Sequence, residues 1–162
     1  MSVLMMSELT RDIKQSKPFP SLEQEVYLNL QRSAYLARLE ILSVLEPFDL
    51  SDVQYNVLRI LRGAGEDGLP IKDVGERLII RDSDATKWLE PLRDRCLLKR
   101  ENGTHDGRIK IVKITPEGLA ILKNLDEPML NRSKVVLGHV GKEDLEQFNA
   151  LLVLARKRTG VS

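Results

Sequence analysis

The 162 residues, 30% charged and 42% hydrophobic but only 4% aromatic, suffice for one compact domain with a helical extension; they exclude two large independent domains and a disordered chain. Twenty-five lysines and arginines against 24 aspartates and glutamates leave a net charge of +1, so total charge is no argument for a polyanionic partner. The single cysteine, Cys96, excludes an internal disulfide and a multi-cysteine zinc site and points to a reducing, cytoplasmic setting.

In chain order, Val3 to Met6 form an apolar cluster too short for a signal peptide, soon interrupted by Glu8, Arg11 and Asp12. No uncharged apolar run reaches the roughly 18 residues of a membrane span, so no membrane partner is expected. Residues 1–20 close on Lys17-Pro18-Phe19-Pro20, and prolines disfavour helix at the residue before them, which predicts an extended arm. A long helix is predicted from Ser21, at capping-box spacing from Gln24, to just before Pro47, with Leu22, Val26, Leu30, Ala34, Ala37, Ile41 and Leu45 along one side. Such a length exceeds the ordinary globular helix and calls for a partner to cover the stripe.

Ser51 and Gln54 repeat the capping signature for a second helix bearing Val53, Val57, Leu58, Ile60 and Leu61, ended near Gly63 and Gly65. Pro70 opens a short third helix with Ile71, Val74 and Leu78 inward. Asp82 or Ser83 caps a fourth, with Ala85, Trp88, Leu89 and Leu92 on its apolar side, running to about Cys96. Pro91 inside it removes one backbone bond, and Cys96 reads as a buried structural cysteine.

The period then changes: residues 97–101 and the β-branched segment 108–115 read as a hairpin, with Asn102-Gly103 supplying turn conformations in a tip that reaches Gly107. Thr115-Pro116-Glu117 starts a fifth helix, with threonine as cap and proline at the first position. It passes Leu119 and Leu122, with a kink expected at Pro128. Residues 138–141 break it before a last amphipathic helix bearing Leu145, Phe148, Leu152 and Ala155.

Short helices followed by a hairpin make a winged helix-turn-helix, so the expected fold is mainly α with a small β-hairpin. The divisions are an arm at 1–20, a dimerisation helix at 21–48, a winged head at 49–115 and C-terminal dimerisation helices at 116–162. Such a head offers one helix to the DNA major groove and the hairpin tip to the flanking backbone or minor groove. The outward residues at the start of the fourth helix are Ser83, Asp84, Thr86 and Lys87, with Lys87 the best cationic contact, Thr86 suited to a thymine methyl or phosphate, and Asp84 either an acceptor from cytosine N4 or equally an electrostatic penalty or helix-start stabiliser. Arg81 and Arg100 join them as DNA-contact candidates, among nine basic and six acidic residues between positions 77 and 110. The apolar stripes of the first and last helices predict a twofold homodimer on a pseudo-palindromic operator.

Residues 51–115 and the turn after them resemble the multiple-antibiotic-resistance regulator (MarR) family. The matching pieces are Leu50-Ser51-Asp52-Val53-Gln54 leading to Val57-Leu58, the segment 83–95, Leu97-Leu98-Lys99-Arg100, Asp106-Gly107-Arg108, and Ile114-Thr115-Pro116-Glu117-Gly118. The resemblance implies a double-stranded-DNA-binding transcriptional regulator, expected to be a repressor, in which Arg108 enters the minor groove and Asp106 braces it. It also implies a small-molecule effector between the dimerisation helices and the head, for which Tyr27, Tyr35 and Arg38 on the long helix are candidate contacts. Three positions depart from the family pattern: Pro91, Cys96 in place of a glycine, and Gly107 in place of a basic wing residue.

No glycine-rich phosphate loop, metal-ligand cluster or nucleophile with an evident base is present, and His105 and His139 lack ligand spacing, so neither an enzyme nor a cofactor or metal is expected. The alternative is a winged-helix protein-interaction module without direct DNA contact, motivated by Asp84, Pro91 and the thin positive surplus.

Overall fold

The computed structural model describes residues 7–80, 84–103 and 108–157. The chain forms two compact units, Met1–Glu40 and Ile41–Ser162.

In the first unit the arm is not wholly extended. Ser7 caps α1 (Glu8–Asp12), its hydroxyl accepting from the Thr10 amide, with acidic Glu8 in the first turn. The prolines act only later, and Lys14, at φ 53°, turns the chain away from helix before them. The long helix α2 (Leu22–Leu45) begins as expected, with Ser21 Oγ accepting from the Gln24 amide at 3.3 Å.

The last residues of α2 enter the second unit, where Leu45 is fully buried. A 3-10 turn, Glu46–Phe48, places Pro47 after the helix and ends on Asp49 in the left-handed region. The next helix, α3 (Asp52–Ala64), has the full reciprocal box: Gln54 N donates to Ser51 Oγ at 3.1 Å, and Ser51 N to Gln54 Oε1 at 2.9 Å. Beyond it come β1 (Leu69–Pro70), α4 (Ile71–Arg77), α5 (Thr86–Asp94), β2 (Leu98–Asn102), β3 (Lys110–Ile114), α6 (Pro116–Leu137) and α7 (Lys142–Lys157). Val57, Leu58, Leu61, Val74, Leu89, Leu92, Val112 and Leu122 form one core among α3, α4, α5, the sheet and α6.

The expected hairpin is part of a three-stranded antiparallel sheet of order β1-β3-β2, with Leu69 opposite Val112 and Leu98 opposite Ile114. A two-residue strand such as β1 carries no period and escapes sequence reading. Gly68 permits it: at φ 70° a side chain would be strained, and a Cβ there would meet the Val112 carbonyl and the Lys113 side chain.

Two expectations about α5 are corrected. Its cap is Ala85, without a side-chain bond, and the helix starts at Thr86 and stops at Asp94; Asp82 and Ser83 lie outside the described residues. Cys96 is exposed, not buried. The cause is the helix end, where Cys96 N donates to Arg93 O at 2.8 Å and Leu97 N to Leu92 O at 2.9 Å, the pair of bonds of a Schellman motif. Leu97 and Leu92 are buried together, while Cys96 takes φ 58° and turns outward. That conformation favours glycine at this position. Cys96→Gly should therefore raise stability by about 0.5–1 kcal/mol, relief of left-handed strain outweighing the added freedom of the unfolded chain. The urea midpoint reads this directly, and a lower midpoint would contradict it.

Neither internal proline ends its helix: α5 continues past Pro91, and α6 continues past Pro128 to Leu137. No helix of the described residues is long and apolar enough to cross a membrane.

Candidate nucleic-acid interface

The helix α5 seats Leu89 and Leu92 in the core, and its period then turns Thr86 and Lys87 to solvent in the first turn. Asp84 is exposed just before the helix. Half-buried Trp88 follows Lys87, whose Nζ lies 5.1 Å from the indole centroid, so cation–π attraction steadies the ammonium. The wing is closed by Gly103 N donating to Ile109 O at 2.8 Å, and Lys110 Nζ donates to Asn102 Oδ1 at 2.5 Å. Arg108, at the β3 end of the tip, is exposed. Arg81, Ser83 and Asp106 lie outside the described residues, and so does the expected bracing of Arg108 by Asp106.

Much of the local positive charge is engaged within the protein. Arg95 donates to the Phe48 carbonyl at 2.8 Å and to the Asp49 carbonyl, clamping the turn after α2. Lys99 and Lys113 meet Glu101 at 2.6 and 3.0 Å, and these hydrogen bonds hold its carboxyl below the usual range. Arg93 pairs with Glu90 at 2.6 Å and Asp94 at 3.0 Å. Arg100 does not project from the wing; it pairs with Glu90 on α5 at 2.5 Å. Thr86, Lys87 and Arg108 are exposed, and their hydroxyl, ammonium and guanidinium groups are donors of the kind that suit phosphate oxygens and base edges.

Several positioning contacts were not anticipated from sequence. Asn56 Oδ1 accepts from the Ile79 amide at 3.0 Å, tying α3 to the chain that approaches α5. An amide side chain among the apolar residues of α3, beyond the Gln54 that the cap already uses, is the signal in the sequence. Arg62 and Asp126 pair at 2.8 Å and join α3 to α6; the Arg62 hydrogen bond holds the Asp126 carboxyl below its usual range. Burial raises the Tyr55 hydroxyl, with Arg59 5.8 Å from its ring centroid.

On α2, Tyr27, Tyr35 and Arg38 are all exposed, and Tyr27 Oη accepts from Gln31 Nε2 at 2.9 Å. Among the described residues no group of three or more His, Cys, Asp or Glu side chains could hold a metal ion.

No family model matches the chain. Among solved structures, a MarR transcription factor from Planctomyces limnophilus is 32% identical, with a TM-score of 0.65 over 84% of this chain and 98% of that one. A Staphylococcus aureus MepR–DNA complex shares the fold at 21% identity, with a TM-score of 0.74 over 82% of this chain and 96% of that one. Bordetella bronchiseptica BpsR, whose DNA binding is regulated by 6-hydroxynicotinic acid, shares it too, at 21% identity and a TM-score of 0.73 over 90% of this chain and all of that one.

Proposed function

This chain belongs to the MarR family of transcription regulators, and on that premise we propose that it binds double-stranded DNA sequence-specifically as a cytoplasmic homodimer and represses by occupying a pseudo-palindromic operator. The observation that carries DNA binding is the pairing of exposed Thr86 and Lys87 at the start of α5 with exposed Arg108 at the wing. A helix N-terminus and a basic hairpin tip are the two parts with which a winged head contacts groove and backbone. The MepR complex supports the same use of the fold.

Dimerisation is supported by α7. None of its sixteen residues is buried, although Phe148, Leu151 and Leu154 are 43%, 61% and 61% exposed. Apolar side chains in that number on one short helix call for a covering surface, and a second copy supplies it by symmetry. We extend the proposal to release by a small molecule, for which BpsR is the precedent in this fold and Tyr27, Tyr35 and Arg38 are the candidate contacts. A ligand acts there through differential affinity for two spacings of the heads.

Selection of bound fragments from a genomic DNA pool tests the proposal. The expected product is an inverted repeat with half-sites about 34–36 Å apart, one helical turn. Light scattering should report a dimer, and log affinity should fall linearly with log salt. A stable monomer, or an affinity indifferent to salt, would instead point to a protein-interaction module.

A further inference from the structure

Arg100 occupies the core face of the sheet. Side chains alternate along a strand, and Arg100 shares its face with buried Leu98 and lies opposite buried Val112. Lys99 and Glu101 take the other face, where they meet Lys113. The Arg100 side chain is only 21% exposed, with Nη1 2.5 Å from Glu90 Oε1. Its Nε and Nη2 are buried and, among the described residues, find no hydrogen-bond partner. The other Glu90 oxygen, Oε2, receives Arg93 at 2.6 Å. One carboxylate on α5 therefore joins the strand that carries the wing to the helix that carries Thr86 and Lys87.

An apolar side chain would suit this inward position better for stability, since a half-satisfied buried guanidinium costs more than its single pair returns. An inward arginine also cannot reach a phosphate unless β2 turns over. We propose that Arg100 and Glu90 are positioning residues for DNA binding: their ion pair sets the orientation of the wing relative to α5, so that both engage one duplex. This rests on the DNA-binding role proposed above.

Electrostatics separates this role from direct contact. If Arg100 touches a phosphate, neutralising Glu90 removes a repelling charge and releases the arginine, so affinity rises. If the pair positions the wing, Glu90→Gln lowers affinity as Arg100→Met does, each by roughly tenfold, and the double variant loses no more than either single one. The probe is the duplex recovered by the genomic selection, titrated by fluorescence anisotropy, with urea denaturation run on each protein. Should Arg100→Met not fold, Arg100→Lys takes its place in the comparison. Tighter binding by Glu90→Gln, additive losses, or a lowered urea midpoint with unchanged affinity of the folded protein each overturn the proposal. Arg108→Ala is the control: if it loses affinity while Glu90→Gln gains, the positioning role alone fails. If the wild type binds no duplex, the DNA-binding proposal fails as well.

Discussion

Replacing Lys87 and Arg108 together by alanine is expected to lower operator affinity by roughly 30-fold to 10⁴-fold, the combined loss of two cationic contacts worth about 1–3 kcal/mol each. The two residues sit on different elements, α5 and the wing, so the losses should add. Each phosphate contact removed should also reduce the slope of log affinity against log salt by about 0.9. The side chains differ in one respect. On the proposed DNA-binding role Lys87, in the first turn of α5, meets groove or flanking phosphate, whereas an arginine at a wing tip is attracted by the negative potential of a narrow A·T-rich minor groove. Arg108→Ala alone should therefore reduce discrimination between A·T-rich and G·C-rich flanks, and Lys87→Ala alone should not. Anisotropy titrations against two duplexes that differ only in the flanks check both statements, and equal affinity of the double variant and wild type would refute them. Neither residue is buried, so urea midpoints should stay within about 0.5 kcal/mol of wild type.

The second large effect is on folding. Gly118→Ala should destabilise the protein by about 2–3 kcal/mol, as expected for forcing atoms into a filled site. Gly118 is buried in the first turn of α6, where a Cβ would run into the Leu97 backbone carbonyl and reach Ile114 Cγ1 at 2.8 Å. Backbone cannot swing aside as a long side chain does. The surroundings are also tied: Thr115 Oγ1 donates to the Cys96 carbonyl at 2.7 Å and accepts from Gly118 N at 3.1 Å. The Thr-Pro-Glu-Gly run is thus more than a helix start, for it joins α6 to the turn between α5 and β2. Thermal and urea unfolding measure the loss, and a variant as stable as wild type would show that the turn can yield.

Much of the site was legible in the residues. The caps at Ser21, Ser51 and Thr115, the helices between them and the placement of Thr86 and Lys87 outside the core all follow from bonds and periods confined to a few neighbouring positions. Arg100 was the instructive case. Its positive charge beside a wing suggested contact with DNA, yet the period-2 alternation from Leu98 already assigned it to the inward face. The identity of its partner could not be read, because Glu90 is on another element and the pair forms only when α5 packs beside β2.

What the sequence determined by itself was therefore local: where helices start, which side of each is apolar, and that a winged head follows a long helix. These depend on capping bonds and side-chain period, which act over three or four residues. Only the tertiary structure decided that β1 joins the sheet and which arginines stay engaged inside the protein. Each of these turns on a contact between distant segments, and spacing along the chain carries no information about which charges or carbonyls packing will bring together.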